Sequence, residues 1–97
     1  MTDVRILAPA ELEMIEAATY YEAHALGLGN DFLDEIETAV NRIRDFPEAA
    51  SPLDFNIRRQ LISRFPYALL YRIDPAEIVI LAVMHFKRRP NYWISRT

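Results

Sequence analysis

Apolar and polar positions change rhythm about halfway along the chain, from a spacing of three and four to alternation and then to an unbroken apolar run. A short extended segment comes first, Val4-Arg5-Ile6-Leu7, which reads as a strand ending before Pro9. Proline suits the first turn of a helix, where its missing N–H loses no hydrogen bond. Glu11, Glu13 and Glu16 then place negative charge near the positive end of the helix dipole. Leu12, Ile15, Ala18, Tyr21 and Ala25 recur at helical spacing and predict the apolar face of this first helix. Gly27 and Gly29 break it and make a tight connection.

A second helix follows, with Asn30 or Asp31 as its expected N-cap. Phe32, Leu33, Ile36, Val40 and Ile43 form one apolar stripe, while Asp34, Glu35, Glu37, Asn41 and Arg44 lie elsewhere. Phe46-Pro47 closes it. Two amphipathic helices joined by about four residues predict an antiparallel helical hairpin with one face that needs cover.

The second half supplies the cover. From Asn56 to Ile62 the chain alternates, with Ile57 and Leu61 separated by Arg59 while Arg58 and Gln60 face the other way. Tyr67 to Ile73 is rich in strand formers, Asp74-Pro75-Ala76-Glu77 is a turn, and Ile78 to Met84 is apolar throughout. Such a run fits a central strand buried on both faces, and the short turn predicts that the last two strands pair as a hairpin. Beyond them the tail breaks at Pro90 and becomes irregular or briefly helical. The predicted order is β-α-α-β-β-β, an α+β fold with a helical hairpin packed on a small, mainly antiparallel sheet.

Composition narrows the function. The 97 residues, about half of them apolar, suit a single domain over residues 1–97. The N-terminal residues lack the basic and apolar regions of a signal peptide, and no run is long enough to span a membrane, so a cytoplasmic, soluble protein is expected. There is no cysteine, so a disulfide framework, a thiol nucleophile and a thiolate metal site are excluded. His24 and His85 stand far apart, and no metal or other cofactor is expected. Ser51, Ser63 and Ser95 sit in no nucleophile elbow, and no glycine-rich phosphate loop is present. The carboxylates gather at helix starts, where capping and the dipole account for them. A conventional hydrolase or nucleotide-binding enzyme is not supported.

Charge is distributed unevenly. Met1 to Asp54 holds twelve acidic residues against three arginines, a balance of −9, whereas Phe55 to Thr97 holds eight basic against two acidic, a balance of +6. Either the second half meets an acidic surface, or the two halves attract each other within the fold. The basic and aromatic residues of the second half are Arg58, Arg59, Arg64, Arg72, His85, Lys87, Arg88, Arg89, Tyr92, Trp93 and Arg96. Arginines beside aromatics bind phosphates and stack on bases, anchor protein interfaces, or simply decorate a solvated sheet face. Tyr67 and Tyr71, on alternate positions of one strand, are read as packing residues, and His85 as a hydrogen-bonded structural one. The run Lys87-Arg88-Arg89 is harder to read as decoration, because it ends a buried strand.

These residues carry a family resemblance. Arg58-Arg59 through Arg64-Phe65-Pro66-Tyr67 to Tyr71 resembles the "RR…FPY…Y" signature of ParE-like plasmid-stabilisation toxins in the RelE/ParE superfamily. His85, Arg88, Arg89, Pro90, Tyr92, Trp93 and Arg96 resemble that family's "H…RRP-x-YW…R" ending, and Tyr20-Tyr21-Glu22 followed by Leu28 to Leu33 also fits. The resemblance implies a toxin of a type II toxin–antitoxin pair, neutralised by a small ParD-like antitoxin through helix-in-groove and strand-addition contacts. RelE-like members cut messenger RNA on the ribosome, whereas ParE-like members poison DNA gyrase.

The residues present favour the second branch. Where RelE-like toxins carry a catalytic arginine this chain has Ala68, and of two basic positions on the preceding strand only Arg59 is kept, Leu61 filling the other. Arg88 does match a basic catalytic position, and Tyr92 or Trp93 stands where an aromatic would stack on a base. A pI near 5.3 suits a ribosome-directed nuclease poorly, because phosphate contacts dominate such affinity. The expected function is therefore gyrase inhibition by binding, with Arg88, Arg89, Tyr92, Trp93 and Arg96 carrying toxicity. Arg58, Arg59, Arg64, Tyr71 and His85 are expected to hold the antitoxin or the sheet face. No membrane contact and no sequence-specific DNA binding by the toxin alone is expected. The alternatives are a ribosome-dependent messenger RNA endonuclease and a non-toxic homologue that only binds its antitoxin.

Overall fold

The structure, a computed structural model, describes residues 2–97. Along the chain come β1 (Asp3–Ile6), α1 (Ala8–His24), α2 (Leu28–Asp45), β2 (Ser51–Pro52), β3 (Ile57–Leu61), β4 (Tyr67–Ile73) and β5 (Glu77–His85). Short 3-10 turns follow β2 at Asp54–Asn56 and close the tail at Ile94–Arg96. The strands form one sheet in the order β1-β5-β4-β3-β2, so the expected α+β arrangement of a helical hairpin on a small sheet is what the chain adopts. β3, β4 and β5 are antiparallel neighbours, while β1 pairs with β5 in parallel. β2 has no counterpart in the alternation pattern: it is two residues long, and its Pro52 is tolerated because the strand is an edge.

β5 lies at the centre, and its apolar run serves two cores. Leu70 pairs with Ala82 but Tyr71 pairs with Ile80, so Leu81 is an extra residue, a β-bulge. The bulge shifts the phase of the strand. Ile78, Ile80 and Val83 join the core under the helices with Phe32, Ile36, Ile43, Leu69 and Tyr71. Val79, Leu81 and Ala82 face the opposite side with Ile57 and Leu70. A continuous apolar segment is what a strand buried on both faces requires.

α1 differs from the expected stripe. Its buried residues are Ala10 and Ala17, with Met14, Ala18 and Tyr21 packed beside them, whereas Leu12 and Ile15 are 56% and 50% exposed. The small side chains let the helix axis come close to the sheet and to α2, and the contact face follows from that proximity. Gly29 belongs to the same contact. A Cβ there would lie 2.6 Å from the carbonyl oxygen of Ala18, so Gly29 is a helix–helix touching point inside α2 and not a breaker. Gly27 alone makes the turn, with φ of 86°.

α2 begins at Leu28, earlier than an N-cap at Asn30 or Asp31 would set it. The cap comes from the preceding helix: the Glu22 carboxylate accepts hydrogen bonds from the backbone N–H groups of Gly27 and Gly29 at 3.0–3.1 Å. This satisfies donors that a local side chain would otherwise take. Phe32, Ile36, Ala39 and Ile43 then face the sheet, Leu33 stays partly exposed, and Phe46 ends the helix as expected. Among the described residues no helix is long and apolar enough to cross a membrane.

Candidate functional site

The chain leaves β5 at His85 and turns through Phe86 to Arg89, held by the Phe86 N–H on the Pro66 carbonyl at 3.0 Å and the Arg88 N–H on the His85 carbonyl at 3.0 Å. The tail then folds back over the sheet face that the helices leave open. Trp93 is 3% exposed there, packed in the second core with Ile57, Leu70, Val79, Leu81 and Ala82. Phe55 meets its ring edge-on at 6.4 Å between centroids.

A cluster around Glu13 fastens this tail. β1 runs out at Ile6, and the Leu7 N–H on the Ile80 carbonyl extends the pairing by one rung. Past that point β5 has a free edge. Glu13 Oε1 accepts the Val83 N–H at 3.1 Å, and Arg96 Nη1 donates to the Leu81 carbonyl at 3.1 Å. Arg96 also donates to both Glu13 oxygens, at 2.8 and 3.2 Å, and the Tyr92 hydroxyl donates to Glu13 Oε2 at 2.7 Å. Two side chains thus take the hydrogen-bonding places of an absent strand, which buried backbone groups require. The hydrogen bond to Glu13 raises the Arg96 pKa above its ordinary value, and burial, followed by the bond to Glu13, pushes the Tyr92 phenol well up.

Arg88 builds on this cluster, its guanidinium carbon lying 4.0 Å from the Tyr92 ring centroid. Beside it, between α1 and the end of the β4–β5 hairpin, runs a cleft. One part, of about 250 Å³, is lined by Glu13, Glu16, Ala17, Tyr20, Tyr67, Val83, His85 and Arg88. It adjoins a recess of about 530 Å³ that adds Tyr21, Pro66 and Lys87. Tyr21 and Tyr67 have pKa values raised first by burial, so both phenols remain protonated. His85 Nδ1 faces the Lys87 N–H at 3.0 Å, and its ring stands edge-on to Tyr67. The acceptor nitrogen of a neutral His85 is therefore engaged, and both Glu13 oxygens are occupied. The cleft offers cations, aromatic walls and neutral donors, and the one carboxylate of its lining that is not filled by donors among the described residues is the exposed Glu16 of α1.

The residues singled out by sequence separate into different places. Arg88 and Arg89 are exposed in the turn after β5, while Tyr92 and Arg96 lie behind it in the Glu13 cluster. Trp93, expected among the residues that carry toxicity, is buried, its indole part of the core. Arg58 donates to the carbonyls of Glu48 and Ala50, and the Tyr71 hydroxyl to that of Pro47 at 2.6 Å, so both secure the connection from α2 into the sheet. Arg64 pairs with Asp31 and Glu35 of α2. Arg59 is exposed, and His85 lines the cleft. Glu13 was missed as a site residue. Once Ala10 and Ala17 are seen to face inward, Glu13 falls on the helical stripe between them, whereas Glu11 and Glu16 do not. Among the described residues no three His, Asp or Glu side chains come together to hold a metal ion.

Comparison with known proteins adds the family. A family model described as "ParE toxin of type II toxin-antitoxin system, parDE" matches residues 4–90, stopping just before Tyr92, Trp93 and Arg96. A search of curated proteins finds no match. Among solved structures, a chain of the "Chromosomal ParDE TA system from P. aeruginosa" superposes with a TM-score of 0.65 at 16% identity, covering 88% of this chain and 96% of that one. At that identity the likeness is one of fold.

Proposed function

Because the chain belongs to the ParE toxin family of type II toxin–antitoxin systems, we propose that it inhibits DNA gyrase by binding it and is neutralised by a ParD-like antitoxin. The observation that carries this reading is the chemistry of the cleft. Cleavage of RNA at a 2′-hydroxyl needs a base to remove the proton and positioned cations around the phosphate. Here the hydroxyls are held protonated, the Glu13 carboxylate is filled by four donors, the His85 acceptor nitrogen is in use, and the remaining carboxylate, Glu16, is solvated on the exposed side of α1. Ala68, where RelE-like toxins carry arginine, is fully buried, and Leu61 faces solvent. Binding needs none of these groups.

The contact set under this reading is Lys87, Arg88 and Arg89, which form no ion pair among the described residues. Tyr92 and Arg96 act behind them by holding the turn in place, and Trp93 acts from the core. Arg59 and the acidic outer faces of α1 and α2 are left for the antitoxin. The test is incorporation of labelled thymidine and labelled methionine minutes after induction of the chain without antitoxin, with purified gyrase assayed for supercoiling alongside. Thymidine incorporation is expected to fall first. If methionine incorporation falls first, the ribonuclease alternative replaces this reading, and if neither falls the chain is a non-toxic antitoxin binder.

A further inference from the structure

The cleft between α1 and β5 has two unlike ends. Around Tyr20, Tyr21, Pro66 and Tyr67 its wall is aromatic and apolar, and the rim beyond carries Lys87 and Arg88. Among the described residues neither cation has a carboxylate partner, and Arg88 is kept in place by its stacking on Tyr92. Other arginines of the fold, such as Arg5, Arg64, Arg72 and Arg96, are each paired with an acid. Tyr20 is 57% exposed, its ring touching Tyr21 and His24 of its own helix, so the aromatic wall is open to a visitor.

We propose that this cleft is a docking slot for an acidic peptide segment with an aromatic or aliphatic anchor, and that the segment belongs to the toxin's target. The anchor enters between Tyr20 and Tyr67, and the carboxylates meet Lys87 and Arg88. Burying an apolar side chain among aromatics supplies affinity, and the uncompensated cations supply direction and selectivity. A nucleic-acid strand is disfavoured by the opposite wall, where Glu13 and Glu16 line the same cleft and would face its phosphates. A peptide places its charge at one end and escapes that repulsion. The assignment to the target rests on the gyrase reading above.

The test is a titration of the isotope-labelled full chain, followed by amide chemical shifts. The probe is the capped peptide acetyl-Leu-Phe-Gly-Glu-Asp-Glu-amide, compared with its counterpart carrying lysine at every acidic position and with a six-nucleotide single-stranded RNA. The acidic peptide is expected to give saturable shifts confined to residues around 20–21, 67 and 85–88. Arg88→Glu is expected to weaken it about tenfold or more, and Tyr20→Ala, at an exposed position that the core does not use, to weaken it as well. Tighter binding of the lysine peptide or the RNA, shifts elsewhere, or no saturable shift overturns the slot. The acidic peptide at saturation should also restore supercoiling by gyrase inhibited with this chain. If the peptide fills the cleft and gyrase stays inhibited, the target does not supply the segment and the proposal falls. The titration contains no gyrase, so a chain that never inhibits gyrase strikes the earlier reading and is told apart from a slot that binds nothing.

Discussion

The two faces of the sheet are covered in different ways. On one side lie two full helices, and Phe32, Ile36, Ala39 and Ile43 interlock with Leu69, Tyr71, Ile78 and Ile80. On the other lies only the tail, whose Trp93 fills the middle while Tyr92 and Ile94 pack around it. The helix side is secured by many apolar contacts spread along two helices. The tail side depends on one indole and one carboxylate that gathers a phenol, a guanidinium and a backbone N–H. The exposed basic turn belongs to the lightly fastened side, as surfaces that must engage a partner often do. The contact turn sits where the two coverings meet, steadied by the tail through Tyr92 and bordered by α1 across the cleft.

The largest effect is expected on the helix side: Phe32→Ala should cost about 3–5 kcal/mol, read from urea unfolding, with protection from hydrogen exchange lost across the whole sheet. Trp93→Ala should cost about 3 kcal/mol, yet raise exchange chiefly in residues 86–97. If both variants loosen the molecule uniformly, the distinction between the faces is gone. Next comes Glu13→Ala, expected to cost about 2–3 kcal/mol because it strands the Arg96 charge and the Val83 N–H in a half-buried place. Its effect should be concentrated in the tail and should abolish toxicity without touching the basic turn. Tyr92→Phe removes one hydrogen bond to a charged group, at about 1.5 kcal/mol.

That variant also carries a pH signature. The folded pKa of Tyr92 is raised by burial and by Glu13, while an unfolded tyrosine ionises near pH ~10. Its contribution is therefore intact below that value and is lost as pH rises from there through the folded pKa. Tyr92→Phe should flatten the alkaline fall in stability, leaving the smaller slope due to Tyr21, Tyr67 and Tyr71, whose pKa values are raised by burial too. The smallest effect on stability is expected for Arg88→Ala, within about 0.5 kcal/mol, although toxicity at equal expression should be lost. A fully toxic Arg88→Ala would remove this arginine from the contact set.

The central position of β5 is legible in the chain because a strand buried on both sides must be apolar at every residue, as Ile78 to Val83 is. The face of α1 is less legible. Spacing finds Leu12 and Ile15 because they are large, but the helix turns its alanines inward, and only the closeness of α2 and the sheet decides that. Asn30 and Asp31 look like caps by composition, yet Glu22 reaches forward from the previous helix and takes the position first. In the tail, the aromatic and basic residues are visible as a group, whereas their division into the buried Trp93, the clamped Tyr92 and Arg96, and the exposed Arg88 and Arg89 depends on how the chain folds back. Glu13 is 70 residues from the N–H it accepts and 83 from the arginine it holds, and no local pattern links positions so far apart.

The plug that Glu13 and Arg96 make at the open rim of β5 has a consequence for solubility. An unpaired strand edge templates the strands of neighbouring molecules, and proteins commonly blunt such edges with charge. Here half of the blunting device, Arg96, lies in the tail that follows β5, so a cut between β5 and Trp93 would bare the Leu81 carbonyl and the apolar surface under Trp93 together. A molecule cut there is expected to self-associate through the bared edge more readily than the intact one.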